Sequence, residues 1–481
     1  MRLPDLVQTA TDAATTARRS LGEYASPTLR LGVTGLSRAG KTVFITALVR
    51  NLTEAHRLPA FEASRSGALK RAFLEPQPDY NVPRFQYESH LEALTGPSPR
   101  WPESTRAISQ LRLTLKVAPQ TTLGQLVGAD RLMIDIVDYP GEWLLDLALM
   151  DQEYAQWCAR VLARMGRDDH AMIAKPFLER LATFDTAGTI DERALSELAE
   201  TFRAYLIKAR QLPPGLATLG PGRFLMPGDL EGSPLLTFAP IPPGRIGDGA
   251  VGDELTRRFD AYRTHVVIPF FRDHFSKLDR QIVLVDALAA LNGGSRALDD
   301  LRDALRAALS AFRPGATSWL GRLFGDRRID RVLFAATKAD HIPQSSHEAL
   351  RQILHALTSE AARRAEAADA ATRVVALAAI RATHETTATV SGETLACIKG
   401  TPIAGEALDG ETFDGRTEAA IFPGDLPANP AKAIAAAEAD AFDDLTFLRF
   451  APPDLDASGT RPWPHGHLDR AIDYLLSDRL P

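Results

Sequence analysis

The sequence predicts an α/β fold, a mixed and mostly parallel sheet flanked by helices, with a large helical insertion and a C-terminal extension. Three observations carry that expectation. A short apolar run, 29–34, enters the glycine-bounded loop Gly35-Leu-Ser-Arg-Ala-Gly-Lys-Thr42 and leaves it as the helix-like stretch 43–49. A second apolar run, 132–137, ends in Asp138-Tyr-Pro-Gly141. From 281 onward, strand-like runs (281–285, 331–335, 374–378) alternate with helical stretches (294–312, 345–371), the rhythm of parallel β units.

Composition narrows the class. At 481 residues the chain is long enough for two or three structural units, and 45% hydrophobic with 24% charged residues argues against disorder. A net charge of −6 gives no general affinity for nucleic acid, so none is expected as a partner. Cys158 and Cys397 are the only cysteines, far apart in sequence; a zinc cluster or disulfide scaffold is excluded and a reduced, cytoplasmic setting is expected. The first 24 residues lack the apolar core of a signal peptide, and charge-free runs such as 374–380 fall well short of the roughly 20 residues of a membrane helix. Residues 5–22 form an amphipathic pattern with Leu6, Ala10, Ala13 and Ala14 on one face. Packing on its own protein is the expectation there, with peripheral membrane contact as the alternative.

In chain order, an N-terminal helix is expected within 1–28, and the core in 29–144 and 276–386. The insertion occupies 145–275 and the extension 387–481. Prolines at 76, 78, 83, 97, 99 and 102 make 57–104 read as irregular, with one helix near 85–94. The stretch 108–117 alternates Leu111, Leu113 and Leu115 with Arg112, Thr114 and Lys116, as an antiparallel edge strand with one wet face would. Helices fill 144–210 and a loop-rich segment 211–250. A hairpin is expected over 387–402, an exposed helix or linker over 433–444, and a final amphipathic helix carrying Leu468, Ile472, Leu475 and Leu476.

The chemistry lies in the loops that follow strands. Gly35-x-x-x-x-Gly40-Lys41-Thr42 is a phosphate-binding pattern: glycines let the backbone approach phosphate oxygens, and successive N–H groups with the next helix N-terminus bind anions. Ser37, Arg38, Ala39 and Val43 belong to that cradle. Lys41 would sit between β- and γ-phosphates, and the Thr42 hydroxyl would ligate Mg²⁺. Asp138, at the end of a strand, would hold Mg²⁺ through water, while Gly141 offers its N–H to the γ-phosphate. Thr337-Lys338-Ala339-Asp340 follows the strand 331–335. An aspartate there accepts from guanine N1–H and the 2-amino group, donors that adenine lacks, while the Lys338 stem covers the base. Ile380 is the candidate for a base-capping loop, with core packing as the equal alternative. A threonine closing over Mg²⁺ is sought before the strand 108–117. Thr105 is the choice, with Ser104 and Thr114 as competitors.

Together these segments resemble the YcjX-like family of bacterial P-loop GTPases. The resemblance runs over nearly the whole chain. Beyond the general motifs it rests on Trp101-Pro-Glu-Ser-Thr105, Asp138-Tyr-Pro-Gly-Glu-Trp-Leu144, Pro221-Gly-Arg-Phe-Leu-Met-Pro-Gly-Asp-Leu230 and the last helix. It implies binding of GTP and GDP with Mg²⁺, a GTPase-type core, and a link to stress or envelope physiology. About 200 residues separate Asp138 from Thr337, so an insertion begins directly after the γ-phosphate-sensing loop. It is well placed to turn nucleotide state into movement and to meet a protein partner. Glu142 stands where related motifs have a water-orienting glutamine, and a carboxylate there supports in-line attack poorly unless a cation neutralises it. Arg38 and Arg106 are the candidates in the same chain, and a partner's arginine is the alternative. The expected function is a slow GTPase switch. Its rivals are an ATP-using enzyme on the same fold and a scaffold that binds GTP without hydrolysing it. Histidines at 170, 465 and 467 have no metal-ligand context, and Arg322, Arg327, Arg328 and Arg331 read as a solvated basic cluster.

Overall fold

A computed structural model describes residues 27–35, 38–55, 58–103, 107–119, 130–150, 152–211, 220–309, 329–390, 393–408, 410–439 and 445–480. The N-terminal amphipathic stretch, Ser37, Ser104, Thr105, Arg106, Arg322, Arg327 and Arg328 lie outside them.

One seven-stranded sheet organises the molecule. Its strands are β1 (Thr28–Gly35), β2 (Leu69–Glu75), β3 (Ser109–Val117), β4 (Arg131–Asp138), β5 (Arg280–Val285), β6 (Arg331–Ala336) and β7 (Ala371–Ala376), ordered β2-β3-β4-β1-β5-β6-β7. The five strands from β4 to β7 run parallel; β2 and β3 are antiparallel. This is the α/β P-loop core that the sequence predicts. Ten α-helices of eight residues or more surround it among the described residues: α1 (Lys41–Arg50), α2 (Tyr87–Thr95), α3 (Tyr154–Met165), α4 (Asp168–Ala182), α5 (Glu192–Gln211), α6 (Ala250–Tyr262), α7 (Gly294–Leu309), α8 (His347–Glu366), α9 (Pro430–Glu438) and α10 (Leu468–Leu476). No helix is long and apolar enough to cross a membrane among the described residues.

Alternation along the strands divides the core in two. Ile282, Leu284, Leu333 and Ala335 face α1 and α10, whereas Val283, Val285, Val332 and Phe334 face a larger cluster. That second cluster runs without a break into the segment between β4 and β5, through Trp157, Phe202, Phe238 and Phe259.

Two expectations are corrected. The strand 108–117 is antiparallel but not an edge, because β2 pairs outside it. Its polar face is covered in part: Arg112 donates from Nε to Asp135 Oδ1 at 2.6 Å and Thr114 is fully buried, while Lys116 at its end stays exposed. The sequence leaves β2 in irregular chain because a register shift between Leu69 and Arg71 breaks the period of two. Nor is the described part of 433–444, residues 433–439, an exposed helix or linker throughout: it belongs to a helix with one face packed inward. Ala433 and Ala437, four residues apart on α9, are fully buried in the same cluster as α7 and α8.

α10 is fastened beneath the sheet by Arg280, with Arg331 of β6 also reaching Tyr474 and Asp478. Arg280, with no exposed surface, donates from Nε to Asp330 at 2.9 Å and from both terminal nitrogens to Asp478 at 2.6 Å. Arg280→Met should therefore cost about 2–3 kcal/mol in urea unfolding, less than a fully enclosed pair because both carboxylates are partly wet. Asp478→Asn, which leaves Arg280 paired to Asp330, should cost about 1 kcal/mol or less.

Candidate functional site

The site is assembled at the carboxyl ends of the parallel strands, where loops from several strands converge. β1 ends at Gly35 and α1 begins at Lys41. Gly40 takes a left-handed φ of 84°, open to glycine at no steric cost, and this aims the loop into the first turn of α1. Arg38 is also left-handed, at φ 63°, and is exposed. Lys41 Nζ donates to the Gly35 carbonyl at 2.9 Å, tying the loop's two ends. Thr42 is buried, and its hydroxyl donates to the Glu103 carbonyl at 3.4 Å.

A cleft of about 320 Å³ opens over this loop, lined by residues 38–44, 101–103, 337, 338, 340, 341, 377–380 and 382, and by three from the C-terminal extension. Arg38, Ala39, Gly40, Lys41, Thr42, Val43, Thr337, Lys338, Asp340 and Ile380 of the sequence candidates are thus brought to one cavity.

The loop after β6 is held rigidly. Thr337 N–H donates to the Val285 carbonyl at 2.9 Å and Ala339 N–H to the Leu377 carbonyl at 3.1 Å, each reaching a neighbouring strand. Lys338 adopts the left-handed conformation at φ 58° and pairs with Asp286, a residue the sequence did not single out. Asp286 also caps the short helix Ala287–Asn292 through Ala289 N–H at 3.1 Å. Asp340 is buried, and its Oδ2 accepts from Ala382 N–H at 2.7 Å, so the loop after β7 orients the carboxylate. His341 behind it is driven by burial toward the neutral form.

Asp138, Gly141 and Glu142 do not line the cleft. Asp138 ends β4 opposite Val33 of β1, one strand from the phosphate loop, and is almost fully buried. Gly141 opens a nine-residue 3₁₀ helix, Gly141–Leu149, that is buried nearly throughout. Glu142 is turned to α5, its carboxylate 2.6 Å from Arg210. Thr114, a competitor for the switch position, is enclosed in the sheet.

The 3₁₀ helix is gripped by 221–228. Trp143 donates from its indole to the Met226 carbonyl at 2.9 Å, and the Arg223 guanidinium lies 3.3 Å from that ring's centroid. Asp146 accepts from Gly222 N–H at 2.6 Å and from the Tyr262 hydroxyl at 2.7 Å. A Cβ at Gly222 would fall 2.0 Å from the Glu142 carbonyl oxygen, so only glycine permits this approach. The sequence marked 221–230 by resemblance alone. It gave no sign of Asp146, Arg210 or Tyr262, whose significance comes from contacts across more than sixty residues of chain. Burial pushes the Asp146 carboxyl up to about 6, against the opposing effect of its two hydrogen bonds.

Comparison with known proteins agrees with this architecture. The model of the YcjX-like family, DUF463, matches residues 29–480. The Ras-like GTPase YcjX of Shewanella oneidensis is 35% identical over 478 residues, covering 94% of each chain. The protein of the same name from Escherichia coli K12 is 35% identical over 466 residues, 94% of this chain and 96% of that one.

The raised Asp146 pKa has a signed consequence. A carboxyl that binds its proton more tightly folded than unfolded contributes stability below about pH 4, and that contribution is lost as pH rises through about 6. Asp146→Asn keeps the shape without the charge. Its stability relative to the unsubstituted protein should rise by about 2–3 kcal/mol between pH 4 and pH 7, read from urea midpoints. A pH-independent difference would show that Asp146 is not the titrating group.

Proposed function

The chain belongs to the YcjX-like family, and from that premise we propose that it binds guanine nucleotide with Mg²⁺ and hydrolyses GTP slowly, as a switch. The single observation that carries the reading is the cleft itself. One cavity is lined by a phosphate loop at one side and by Lys338, Asp340 and the 377–382 loop at the other. Asp340 supplies the acceptor that guanine N1–H and the 2-amino group require, and Lys338, anchored on Asp286, supplies an aliphatic face for the ring.

The residues present fit a magnesium ion. Thr42, in the first turn of α1, and Asp138, at the end of the strand beside β1, are hard oxygen donors, and no group of three or more His, Cys, Asp or Glu side chains forms a closed metal cage among the described residues. Mg²⁺ characteristically takes one or two protein oxygens and completes its octahedron with water and phosphate. When bound, it would neutralise charge on the β- and γ-phosphate oxygens. The chain's own contribution is positioning: Lys41 on the phosphates, Gly40 and its neighbours presenting N–H groups, and Asp340 fixing the base.

Slow hydrolysis follows from Glu142. Its carboxylate is engaged with Arg210 at 2.6 Å, so orienting a water would require that pair to part. Arg38, exposed on the cleft beside Lys41, is the candidate in this chain for a cation that neutralises the reaction centre. The same pair supports a role for the insertion as the reader of nucleotide state and the surface for a protein partner, since Arg210 lies at the end of α5.

Two measurements test the reading. Calorimetry should find GTP and GDP bound far more tightly than ATP, and Lys41→Ala should abolish measurable binding with an unchanged far-UV spectrum. Asp340→Asn should weaken GTP by about tenfold or more and favour XTP, because one buried hydrogen bond is left unmade. Equal affinity of the unsubstituted protein for ATP would overturn the base assignment. In single-turnover assays Arg210→Ala, which releases Glu142, should alter the hydrolysis rate at unchanged GDP affinity. An unaltered rate would remove the Glu142–Arg210 pair from the mechanism.

A further inference from the structure

We infer that the C-terminal extension is part of the nucleotide site: it supplies the wall at the base end of the cleft and is seated there through Trp101. This rests on the guanine-nucleotide reading of the cleft and adds to it a binding element outside the P-loop core.

The extension contains its own small β unit. β8 (His384–Val390) and β9 (Glu393–Gly400) form a hairpin to which Ala419–Ile421 adds a third strand. Among the described residues its apolar core has four buried members, Ile398, Ile421, Leu448 and Phe450. So small a core leaves the unit dependent on what it packs against.

That support is the cleft. Ile403, Arg449 and Phe450 line it beside His341 and Asp340. The Phe450 and His341 rings meet edge to face at 5.1 Å between centroids, which places Phe450 directly behind the aspartate proposed to read the base. Ile403 N–H donates to the Arg449 carbonyl at 2.9 Å, fixing these two segments side by side. The Arg449 guanidinium is held on Glu406 by a 2.7 Å bond from Nε, so its position is set by the unit itself.

The second half of the link is Trp101. Its indole N–H donates to the Phe450 carbonyl at 2.7 Å, across 349 residues of chain. Two residues later, the Glu103 carbonyl accepts from the Thr42 hydroxyl at 3.4 Å. The short stretch 101–103 therefore touches the phosphate loop's threonine at one end and the C-terminal unit at the other, and all three residues line the cleft. A nucleotide filling this space contacts both sides at once. Its binding is then coupled to seating of the extension, and ordering either one favours the other.

The direct test is hydrogen–deuterium exchange of the full chain with and without GDP and Mg²⁺, followed by peptides covering 398–403 and 446–451. Exchange in both should slow by about fivefold or more on GDP binding, together with protection at 38–44. Trp101→Phe keeps an aromatic ring and removes the indole donor. It should raise the GDP dissociation constant about threefold and abolish the GDP-dependent protection at 446–451. Trp101→Ala, which removes the ring from the cleft wall together with the donor, should raise the constant about tenfold. Melting of each variant without nucleotide separates this effect from general destabilisation. GDP protection confined to 38–44 and 337–341 would overturn the inference while leaving the guanine-nucleotide reading standing. Retained protection at 446–451 in Trp101→Phe at unchanged affinity would overturn the role of Trp101. Absence of any GDP protection at 38–44 would remove the reading of the cleft itself, and this inference with it.

Discussion

Everything between β4 and β5 is organised by the seating of one buried 3₁₀ helix, Gly141–Leu149, against 221–228. The contact depends on a missing side chain. At Gly222 the backbone comes so close to Glu142 that a Cβ would sit 2.0 Å from its carbonyl oxygen. With that approach made, Gly222 N–H reaches Asp146, the Arg223 guanidinium covers Trp143, and Arg210 is brought to Glu142. Three polar side chains are thereby buried with partners, a condition for keeping such groups out of water. Because the helix directly follows Asp138 and Gly141, whatever moves that loop meets the packing of the whole insertion.

The insertion is not a separate body tethered by linkers. Its aromatic residues, among them Trp157, Phe202, Phe238 and Phe259, share one continuous apolar cluster with Val283, Val285 and Phe334 of the sheet. Close-packed interiors transmit displacement rather than absorb it. The 3₁₀ helix is joined directly to α5 through Glu142 and to α6 through Asp146, so a shift of that helix is resisted by both.

The cleft obeys a different logic. Its walls come from chain segments hundreds of residues apart, each short and pinned by backbone N–H groups: Thr337 to the Val285 carbonyl, Ala339 to the Leu377 carbonyl, Ala382 to the Asp340 carboxylate. Rigid loops on strand ends place polar groups more accurately than free loops do. Asp286 adds the one electrostatic element that none of the recognisable motifs contains, pairing with Lys338 while capping its own helix.

The sequence by itself determined the features that are local or periodic. A phosphate loop is legible because glycine, lysine and threonine must stand at fixed spacing to wrap one anion. Strands such as 281–285 are legible because buried parallel strands are continuously apolar. The α/β core followed from these. Tertiary structure alone decided the rest. β2 exists because β3 offers it a ladder, and its bulge erases the alternation that would have revealed it. The helix 430–438 reads as solvated because alanine carries little hydrophobic signal, yet Ala433 and Ala437 are small enough to let α9 lie directly on α7 and α8. Glu142 meets Arg210, and Trp101 meets Phe450, only because the chain returns across 68 and 349 residues; no window of sequence contains both partners, so their pairing is a property of the fold.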